Sequence, residues 1–481
     1  MFFRAFLLLL LFFVGCARVP KHELASLSKS VTLEQSIDTA LAREFFEEGG
    51  WPTEQWWEMF GDSQLNSLIE LALKENPTLQ RALAKVTEVE QEAKKQRASL
   101  FPSLSANYTE NWEYFSKNGF IRSFYPAPPG VVVPATTNQL DLGLNFNYEI
   151  DFFGRNRHLF DSAWGMAQAQ KAERAQAILM ITTLIAQTYI ELQMKLFQQE
   201  TLEERLDARK ALLELSLARN SGGIESVSPL LDRESGVYAL EQLLLQMDKE
   251  IALDRHMLNL LVGKGPDEDL VKEPLGVLFN HPLALPEHLS CDLLARRPDL
   301  TAQLWRTEAA AKQIGAAKAD FYPRVNLMAF GQLEALAFSK FLNFSNKQGG
   351  LDPAIHLPIF TGGRLRANLK SKVAKFNEET YLYNELILNA AKEVADQVVI
   401  LTATFDTAAY QAASLEIAEE QLSLQSSRYT QGLYNLSSVL EKQEIALHQQ
   451  FLLYGYERDY LLSIIKMVKA LGGGYLSEGP S

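Results

Sequence analysis

Residues 140–152 read Leu-Asp-Leu-Gly-Leu-Asn-Phe-Asn-Tyr-Glu-Ile-Asp-Phe. Every even position is apolar: Leu140, Leu142, Leu144, Phe146, Tyr148, Ile150 and Phe152. The odd positions carry Asp141, Gly143, Asn145, Asn147, Glu149 and Asp151. A period of two puts the two sets on opposite faces of a β-strand. One face is greasy and the other is acidic and wet. That period fits a soluble sheet lying on a core. It also fits a membrane barrel strand with lipid outside and water inside. The segment after the strand shifts the balance. Beyond Gly154-Arg155 a helical pattern runs to about Asn220, which is roughly 90 Å at 1.5 Å per residue. A strand feeding so long a helix is not an ordinary globular unit.

The chain has 481 residues and a formal net charge of −13. An acidic balance of this kind argues against a nucleic-acid partner. Two cysteines supply neither a disulfide framework nor a metal cluster, and the seven histidines form no His-x-x-x-His pair. No metal or cofactor is expected. Met1 to Arg4 is a short basic segment, followed by an apolar run from Ala5 to Val14 that is too short to span a bilayer. It ends in Val14-Gly15-Cys16 and reads as a secretory signal. The small residues before the cysteine resemble a bacterial lipobox, with Phe13 where Leu is usual. That resemblance implies cleavage before Cys16 and acylation there, palmitate included. A plain signal peptide with an incidental cysteine is the alternative. Ala17, not Asp, comes next, so the inner-membrane retention signal of lipoproteins is missing. No later stretch reaches about 18 apolar residues. Any crossing of a membrane must therefore be made as a barrel.

Lys21 to Gly50 reads as a polar arm, and the cluster Trp51, Trp56, Trp57, Phe60 as its anchor. Asp62 or Ser63 is a plausible N-cap for a helix carrying Leu65, Leu68, Ile69, Ala72 and Leu73. Asn76-Pro77 breaks that helix, and a second runs from about Thr78 to Ser99. From Pro102 the period changes to two, with Leu104, Ala106, Tyr108, Trp112 and Tyr114 on one face. Ser116 to Asn138 is a loop, and Leu140–Phe152 is the return strand of a hairpin. After the long helix, Ser221-Gly222-Gly223 marks a tight turn. A return helix runs from about Ser228 to Val262, which makes a helical hairpin of coiled-coil type.

The sequence then repeats itself. An offset of 221 residues matches Pro77 with Pro298, Leu79 with Leu300, Ala98 with Ala319 and Pro102 with Pro323. Beyond the strands an offset of 209 matches Gly154 with Gly363, Arg155 with Arg364, Arg219 with Arg428, Gly223 with Gly432 and Gly263 with Gly472. One change of offset, confined to the strand hairpin, is what a tandem duplication with a longer first loop gives. The alternation recurs more weakly at Val325–Ala337 and Leu351–Ile359. The second long helix is expected from Arg364 to about Thr430, with an apolar seam from Leu369 to Leu415. The expected divisions are a signal peptide at 1–15, a lipidated arm at 16–62, a first strand-and-hairpin repeat at 63–263, a linker at 264–289, a second repeat at 290–472 and a tail at 473–481. The fold class is α+β, with four strands per chain. Four strands cannot close a membrane barrel, since the smallest has eight. A barrel built from them must be shared between chains.

Taken together, the motifs resemble the TolC-like outer-membrane efflux channels, in the lipoprotein branch typified by OprM. The resemblance spans nearly the whole mature chain. It rests on Trp57-x-x-Phe60-x-Asp62-x-x-Leu65, on Asn76-Pro77, and on Phe101-Pro102 with its repeat Tyr322-Pro323. It continues in Ile150-Asp151-Phe152-Phe153-Gly154-Arg155, in Leu357-Pro358-Ile359-Phe360-Thr361-Gly362-Gly363-Arg364, in Arg428-Tyr429-x-x-Gly432, and in Ala470-Leu471-Gly472-Gly473-Gly474-Tyr475. It implies a homotrimer with a shared 12-stranded transmembrane barrel and a periplasmic α-barrel of tandem helical hairpins. It also implies a passive conduit for tripartite efflux or type I secretion, fed by an inner-membrane transporter through a periplasmic adaptor (membrane fusion protein). The outer membrane supplies the lipid.

The family's tunnel closes at the helical tips, where an acidic ring and bulky residues face the axis. By resemblance Glu441 stands where relatives usually have Asp, and Tyr429 matches an aromatic gate position. Ser438 falls on another acidic position and Tyr434 where a gate arginine can stand, so those two polar positions are missing. Three Glu441 carboxylates on an axis would repel one another and attract cations. Read alone, Glu441 is a solvated helix residue. Arg219, Gly223, Arg428 and Gly432 are expected at the tips where an adaptor docks, the glycines also allowing φ > 0 in a turn. Asp141, Asn145, Asn147 and Glu149 are expected to line the barrel lumen. Two other readings compete. Catalysis finds no Gly-x-Ser-x-Gly, Walker loop or Cys/His metal spacing. A non-channel coiled-coil envelope lipoprotein or adaptor would have no membrane-spanning strands, which sets it against the alternation at Leu140–Phe152.

Overall fold

The alternating stretches fold as strands and each long periodic stretch as one helix. The structure, a computed structural model, describes residues 19–27, 46–49, 51–119, 135–271, 283–286 and 296–476. The lipobox and Cys16 lie outside the described residues. In chain order the elements are β1 (Phe46–Gly49), a 3-10 helix (Trp56–Phe60), α1 (Ser63–Glu75), α2 (Pro77–Ala98), β2 (Ser103–Tyr114), β3 (Thr136–Ile150), α3 (Arg155–Ser221) and α4 (Val227–Val262). They continue with β4 (Leu283–Pro286), α5 (Pro298–Ala319), β5 (Arg324–Ala335), β6 (Lys347–His356), α6 (Arg364–Thr430) and α7 (Leu436–Ala470). The chain divides into two compact units. One comprises Met1–Ser26, Glu88–Ala167 and Arg306–Thr380, the other Leu27–Thr87, Gln168–Trp305 and Tyr381–Ser481. Each draws residues from both sequence repeats.

The first unit holds a four-stranded antiparallel sheet in the order β2-β3-β5-β6. Its register keeps one greasy face across all four strands. Leu104 faces Phe146, which faces Ala329, which faces Leu351; Tyr108 faces Leu142, which faces Leu333. Trp112 and Tyr114 belong to the same face, at the loop end of β2. Phe341, from the β5–β6 turn, packs against Leu140 and Ala335 and meets the Tyr108 ring edge-on at 5.7 Å. Three strands differ in their limits from the expectation, β5 running from Arg324 to Ala335 where Val325–Ala337 was expected. β3 starts at Thr136 and stops at Ile150, because Phe152 N–H turns back to donate to the Ile150 carbonyl at 3.0 Å and Gly154 takes φ +74°. The expected Leu351–Ile359 strand begins earlier, at Lys347, and ends at His356. Its Gly349, Gly350 and Pro353 hide the alternation; an edge strand tolerates a Pro without an N–H. β2 and β6 each have one unpaired edge.

Where β3 and β5 end, the neighbouring turns are clamped. Phe153 stacks on Tyr322 with centroids 4.7 Å apart and planes 13° apart. Arg155 Nε donates to Asp320 Oδ1 at 2.9 Å, and Arg324 donates to the same oxygen at 2.6 Å. Nearby, Ile314, Ala317, Leu369 and Val373 form a small core that Val19 of the arm joins. Ala25 N–H donates to Asn377 Oδ1 at 2.9 Å.

The second unit is built on a larger core. Trp56, Trp57 and Phe60 are buried with Leu65, Ile69 and Ala72 of α1, Ile185 and Tyr189 of α3, Leu258 of α4, Ile387 and Val394 of α6, and Ile464 and Ile465 of α7. Fully burying a side chain of this kind contributes about 1.5–3 kcal/mol. The residue that caps α1 is Asp62, whose Oδ1 accepts the N–H groups of Gln64 (2.8 Å) and Leu65 (3.1 Å). Asn76 is buried at the α1–α2 break. Its Oδ1 accepts Thr78 N–H at 2.8 Å and its Nδ2 donates to the Leu261 carbonyl at 2.6 Å. Pro77 then opens α2, where its missing N–H costs nothing. After α7 come three successive positive-φ glycines, Gly472, Gly473 and Gly474. A Cβ on Gly472 or Gly474 would lie 2.1 Å from the carbonyl oxygen of Arg296 or Thr53. The α6 seam is covered from Leu369 to Leu401 and opens beyond it, with Ala412 exposed. The segment expected to be a linker contains β4, which pairs in parallel with β1.

One helix, α3, contains a window long and apolar enough to cross a membrane by composition, against the expectation of none. With 61% of that window buried, it behaves as a core helix.

Candidate functional site

The residues singled out from the sequence fall on the wet face of the sheet and on the two hairpin tips. Asp141, Asn145, Asn147 and Glu149 share the face opposite Leu140–Ile150. The register puts Ser105 and Phe330 beside Asn145, and Thr109 and Glu334 beside Asp141. Asn145 Nδ2 donates to Asn107 Oδ1 at 2.8 Å, and Gln139 Nε2 to Asp141 Oδ2 at 3.2 Å. The face is not uniformly polar. Met328 and Phe330 share it, and Gly350 leaves room for the Phe330 ring, which a Cβ there would meet at 2.7 Å.

The two tips close in the same way. Gly223 takes φ +69° and Gly432 φ +74°. Ile224 N–H donates to the Arg219 carbonyl at 2.9 Å, and Leu433 N–H to the Arg428 carbonyl at 3.0 Å. Gly223 N–H reaches Asn220 O, and Gly432 N–H reaches Tyr429 O, both at 2.9 Å. This is the six-to-one and five-to-two pattern of a glycine-ended helix. Arg219 and Arg428 thus serve the turns through their carbonyls, and the Arg428 guanidinium lies 5.7 Å from the Tyr434 ring centre. Ile224 is 82% exposed and Leu433 68% exposed, so equivalent greasy residues stand out at both tips.

Above the tips an ion-pair ladder joins the two helical hairpins. Arg205 Nη2 of α3 donates to Glu444 Oε1 of α7 at 3.0 Å, and Arg209 Nη1 lies 3.5 Å from Glu444 Oε2. Nearer the tip, Arg233 of α4 reaches Glu441 at 3.4 Å and Glu225 at 3.6 Å. Ser437 Oγ donates to Glu441 at 3.3 Å. The Glu444 side chain is 17% exposed and that of Glu441 54%. Gly236 makes the ladder possible, because a Cβ on it would lie 2.7 Å from Arg209 Nε. Burial and the Arg205 charge hold the His448 imidazole below its ordinary pKa, with Glu444 pulling the other way. Asn435 caps the start of α7, its Oδ1 accepting the Ser438 N–H at 3.0 Å. Among the described residues no hydrogen bond links Tyr429 to Glu441. Of the residues in this ladder, the sequence reading had singled out Glu441, as a gate residue, and not Arg205, Arg209, Arg233 or Glu444.

Residues 68–264 and 289–473 match the family described as Outer membrane efflux protein. The chain belongs to this family. The efflux protein is 31% identical over 487 residues to the multidrug resistance outer membrane protein MdtQ of Escherichia coli, with 97% of each chain covered. It is 28% identical over 469 residues to MdtP of Escherichia coli K12, covering 97% of this chain and 94% of that one. The crystal structure of the outer membrane protein VceC of Vibrio cholerae matches it with a TM-score of 0.76 at 32% identity, over 88% of this chain and 100% of that one. The Campylobacter jejuni CmeC outer membrane channel matches its fold with a TM-score of 0.82 at 20% identity, over 96% and 95% of the two chains. The efflux protein is thus an outer-membrane channel protein reaching into the periplasm, of a channel family and not an enzyme family.

Proposed function

We propose that three copies of this chain form one passive conduit of a tripartite efflux or type I secretion system. A periplasmic adaptor and an inner-membrane transporter feed it, and drug-like compounds are its cargo, as the names of MdtQ and MdtP suggest for those relatives. The observation that carries this reading is a four-stranded sheet with one continuous greasy face and two free edges. Free edges are forbidden in lipid, and four strands are too few for a membrane barrel. Three copies supply twelve. The greasy face then meets lipid, with Trp112 and Tyr114 at one end as interfacial aromatics. Asp141, Asn145, Asn147 and Glu149 face the water-filled lumen, and acyl chains on Cys16 add a second hold on the membrane.

Efflux needs a conduit that is shut at rest. The Arg205–Glu444–Arg209 and Arg233–Glu441 pairs hold the two hairpins of each chain together, and Tyr429, Tyr434 and Ser438 narrow the aperture beside them. The exposed Ile224 and Leu433, on turns fixed by Gly223 and Gly432, suit adaptor docking. The test is the native mass of protein extracted in detergent from an outer-membrane fraction, with the conductance of the same sample in a lipid bilayer. A trimer with low resting conductance, rising in Glu441→Ala, is expected. A water-soluble monomer would remove the shared barrel, and an unchanged closed state would remove Glu441 from the gate.

A further inference from the structure

The turn between β5 and β6 folds back over the greasy face of the sheet and not over the wet one. It contains two short 3-10 turns, Phe338–Lys340 and Phe344–Asn346. Phe341 ties it to the sheet: it is buried on Leu140 and Ala335, which face each other across the β3–β5 ladder. The Tyr108 ring that Phe341 meets edge-on stands on the same face. Side chains alternate between the faces of a strand, so a turn seated on these three residues lies on the greasy side. Its own backbone holds its shape. Phe341 N–H donates to the Phe338 carbonyl at 3.2 Å, and Asn346 N–H to the Asn343 carbonyl at 3.0 Å. Asn346 Nδ2 donates to the Lys340 carbonyl at 2.7 Å. What the turn shows to its surroundings is apolar: Phe338 is 75% exposed, Leu342 77% and Phe344 75%. Three large apolar side chains held out together on an ordered turn mark a binding surface.

Charge and height say what that surface meets. Residues 336–347 include Lys340 and Lys347 and no Asp or Glu. Lys347 opens β6 opposite Leu333, so it too stands on the greasy face. Its ammonium lies 5.8 Å from the centre of the Phe344 ring. Among the described strand residues Glu110 is the one carboxylate on this face, and its oxygens already accept from the Tyr108 hydroxyl at 3.0 Å and from Asn138 Nδ2 at 2.8 Å. Neither lysine has a carboxylate partner among the described residues. Along β3 the rows from Ile150–Val325 to Leu140–Ala335 are ten residues apart. At about 3.4 Å per residue and a tilt of about 45° they span roughly 24 Å, the height of the apolar band of a membrane barrel. The turn therefore begins where that band ends, at the level of lipid headgroups. Phe and Leu beside Lys is the composition of a segment that lies in the membrane interface.

We infer that the β5–β6 turn is a flap that binds an anionic, phosphate-bearing lipid of the outer leaflet, with the phosphate at Lys340 and Lys347 and the acyl chains against Phe338, Leu342 and Phe344. This rests on the barrel reading above and adds to it a lipid site with a headgroup preference. A lipid fits better than a plug of the lumen, because Phe341 pins the turn to the opposite face. It fits better than a second copy of the chain, because the turn lies over β3 and β5, the two inner strands of the sheet, and away from both free edges.

The test places a fluorophore on the flap. Full-length protein carrying Cys291→Ser and Leu342→Cys is labelled with NBD and reconstituted in vesicles of phosphatidylcholine and phosphatidylglycerol. The same protein without Leu342→Cys, treated alike, gives the background. The label is expected to be quenched by lipid spin-labelled high on its acyl chain and shielded from aqueous iodide. Spin-labelled phosphatidylglycerol should quench it at lower mole fraction than spin-labelled phosphatidylcholine. A lysine near an anionic lipid surface is worth about a fivefold change in binding. Lys340→Gln and Lys347→Gln should thus each lower the phosphatidylglycerol preference about fivefold, and Lys340→Arg with Lys347→Arg should keep it. A label open to iodide overturns the flap, and so does one shielded from both quenchers, which means that protein covers it. Equal quenching by the two lipids, or a preference that survives both glutamines, overturns the phosphate site. In all of these outcomes the native trimer still stands in the bilayer. Protein that stays out of the vesicles as a water-soluble monomer overturns the barrel reading, and the flap with it.

Discussion

Asp62 caps α1 with one carboxylate oxygen and accepts the Tyr189 hydroxyl with the other, at 2.6 Å. Burial and the Asp62 charge push the Tyr189 phenol far above its ordinary pKa, so it stays a donor at any physiological pH. Asp62→Ala removes the cap and strands a buried hydroxyl, and should lower stability by about 2–4 kcal/mol. Tyr189→Phe should cost about 0.5–1.5 kcal/mol, and chemical unfolding in detergent ranks the two. In the ladder above the tips, Glu444 is more enclosed than Glu441 and meets two arginines. A double-mutant cycle on Arg205 and Glu444 should give a coupling of about 1–2 kcal/mol. The exposed Arg233–Glu441 pair should give less than about 1 kcal/mol, and Glu444→Gln should raise resting leak more than Glu441→Ala. His448 gives the ladder a pH dependence. Its folded pKa lies below the unfolded value of about 6.5, so the unfolded state takes up the proton first on acidification. Its contribution is complete above about pH 6.5 and declines from there until the folded imidazole itself titrates. His448→Gln should flatten that slope in thermal melts between pH 7 and 5. Asp62 was readable in the sequence because a cap works on residues two and three positions on. The arginines were not, because their partners lie more than 200 residues away. The repeat gave no help either, since Arg205 and Arg209 match Ser414 and Ala418.

The helices were the most readable elements. Each is long, carries its period throughout and stops at a glycine or proline whose backbone role is local. The long α3 and α6 therefore came within one residue of their ends, Ser221 and Thr430. The strands were readable in proportion to how cleanly their faces separate. β3 announces itself. β5 carries Met328 and Phe330 on its wet side, and β6 carries Gly349, Gly350 and Pro353. The small β1–β4 pair gave no sign, because four residues hold too little alternation to be seen. The run Gly472-Gly473-Gly474 was legible only as a motif, yet its reason is steric. It passes so close to Arg296, Leu179 and Thr53 that no side chain fits, and its backbone is left-handed at each residue. Gly474→Ala should cost at least about 2 kcal/mol and show as loss of folded protein from the membrane fraction. Gly236→Ala is milder, because it meets the flexible end of Arg209. It should leave folding intact and raise resting leak by displacing that arginine from Glu444.

As an assembly, the protein joins two problems that a single chain leaves open. A sheet with lipid on one face needs its edges closed, and a tunnel needs a gate. In the proposed three-copy assembly one duplicated chain answers both, since six near-equivalent hairpins close a ring more easily than three unlike ones. In that reading the division of function follows the two compact units. Under the proposed function, polar residues on the sheet set what water and solutes meet in the barrel, whereas the ladder of arginines and glutamates sets whether the hairpins part. Changes on the wet face, such as Asp141→Asn with Glu149→Gln, should therefore shift the cation preference of the open pore in bilayer recordings without raising resting leak.

Both long helices, α3 and α6, have 67 residues, while the loops joining the strands differ between the repeats. The helices thus act as a matched pair of rulers. In the proposed assembly the loops joining the strands can lengthen without altering the helices. A seven-residue insertion in α6 alone would set one tip about 10 Å beyond the other, and no level platform would be left for a partner to grip. In the proposed channel, length is constrained in pairs on the helical side of the membrane and singly on the loop side.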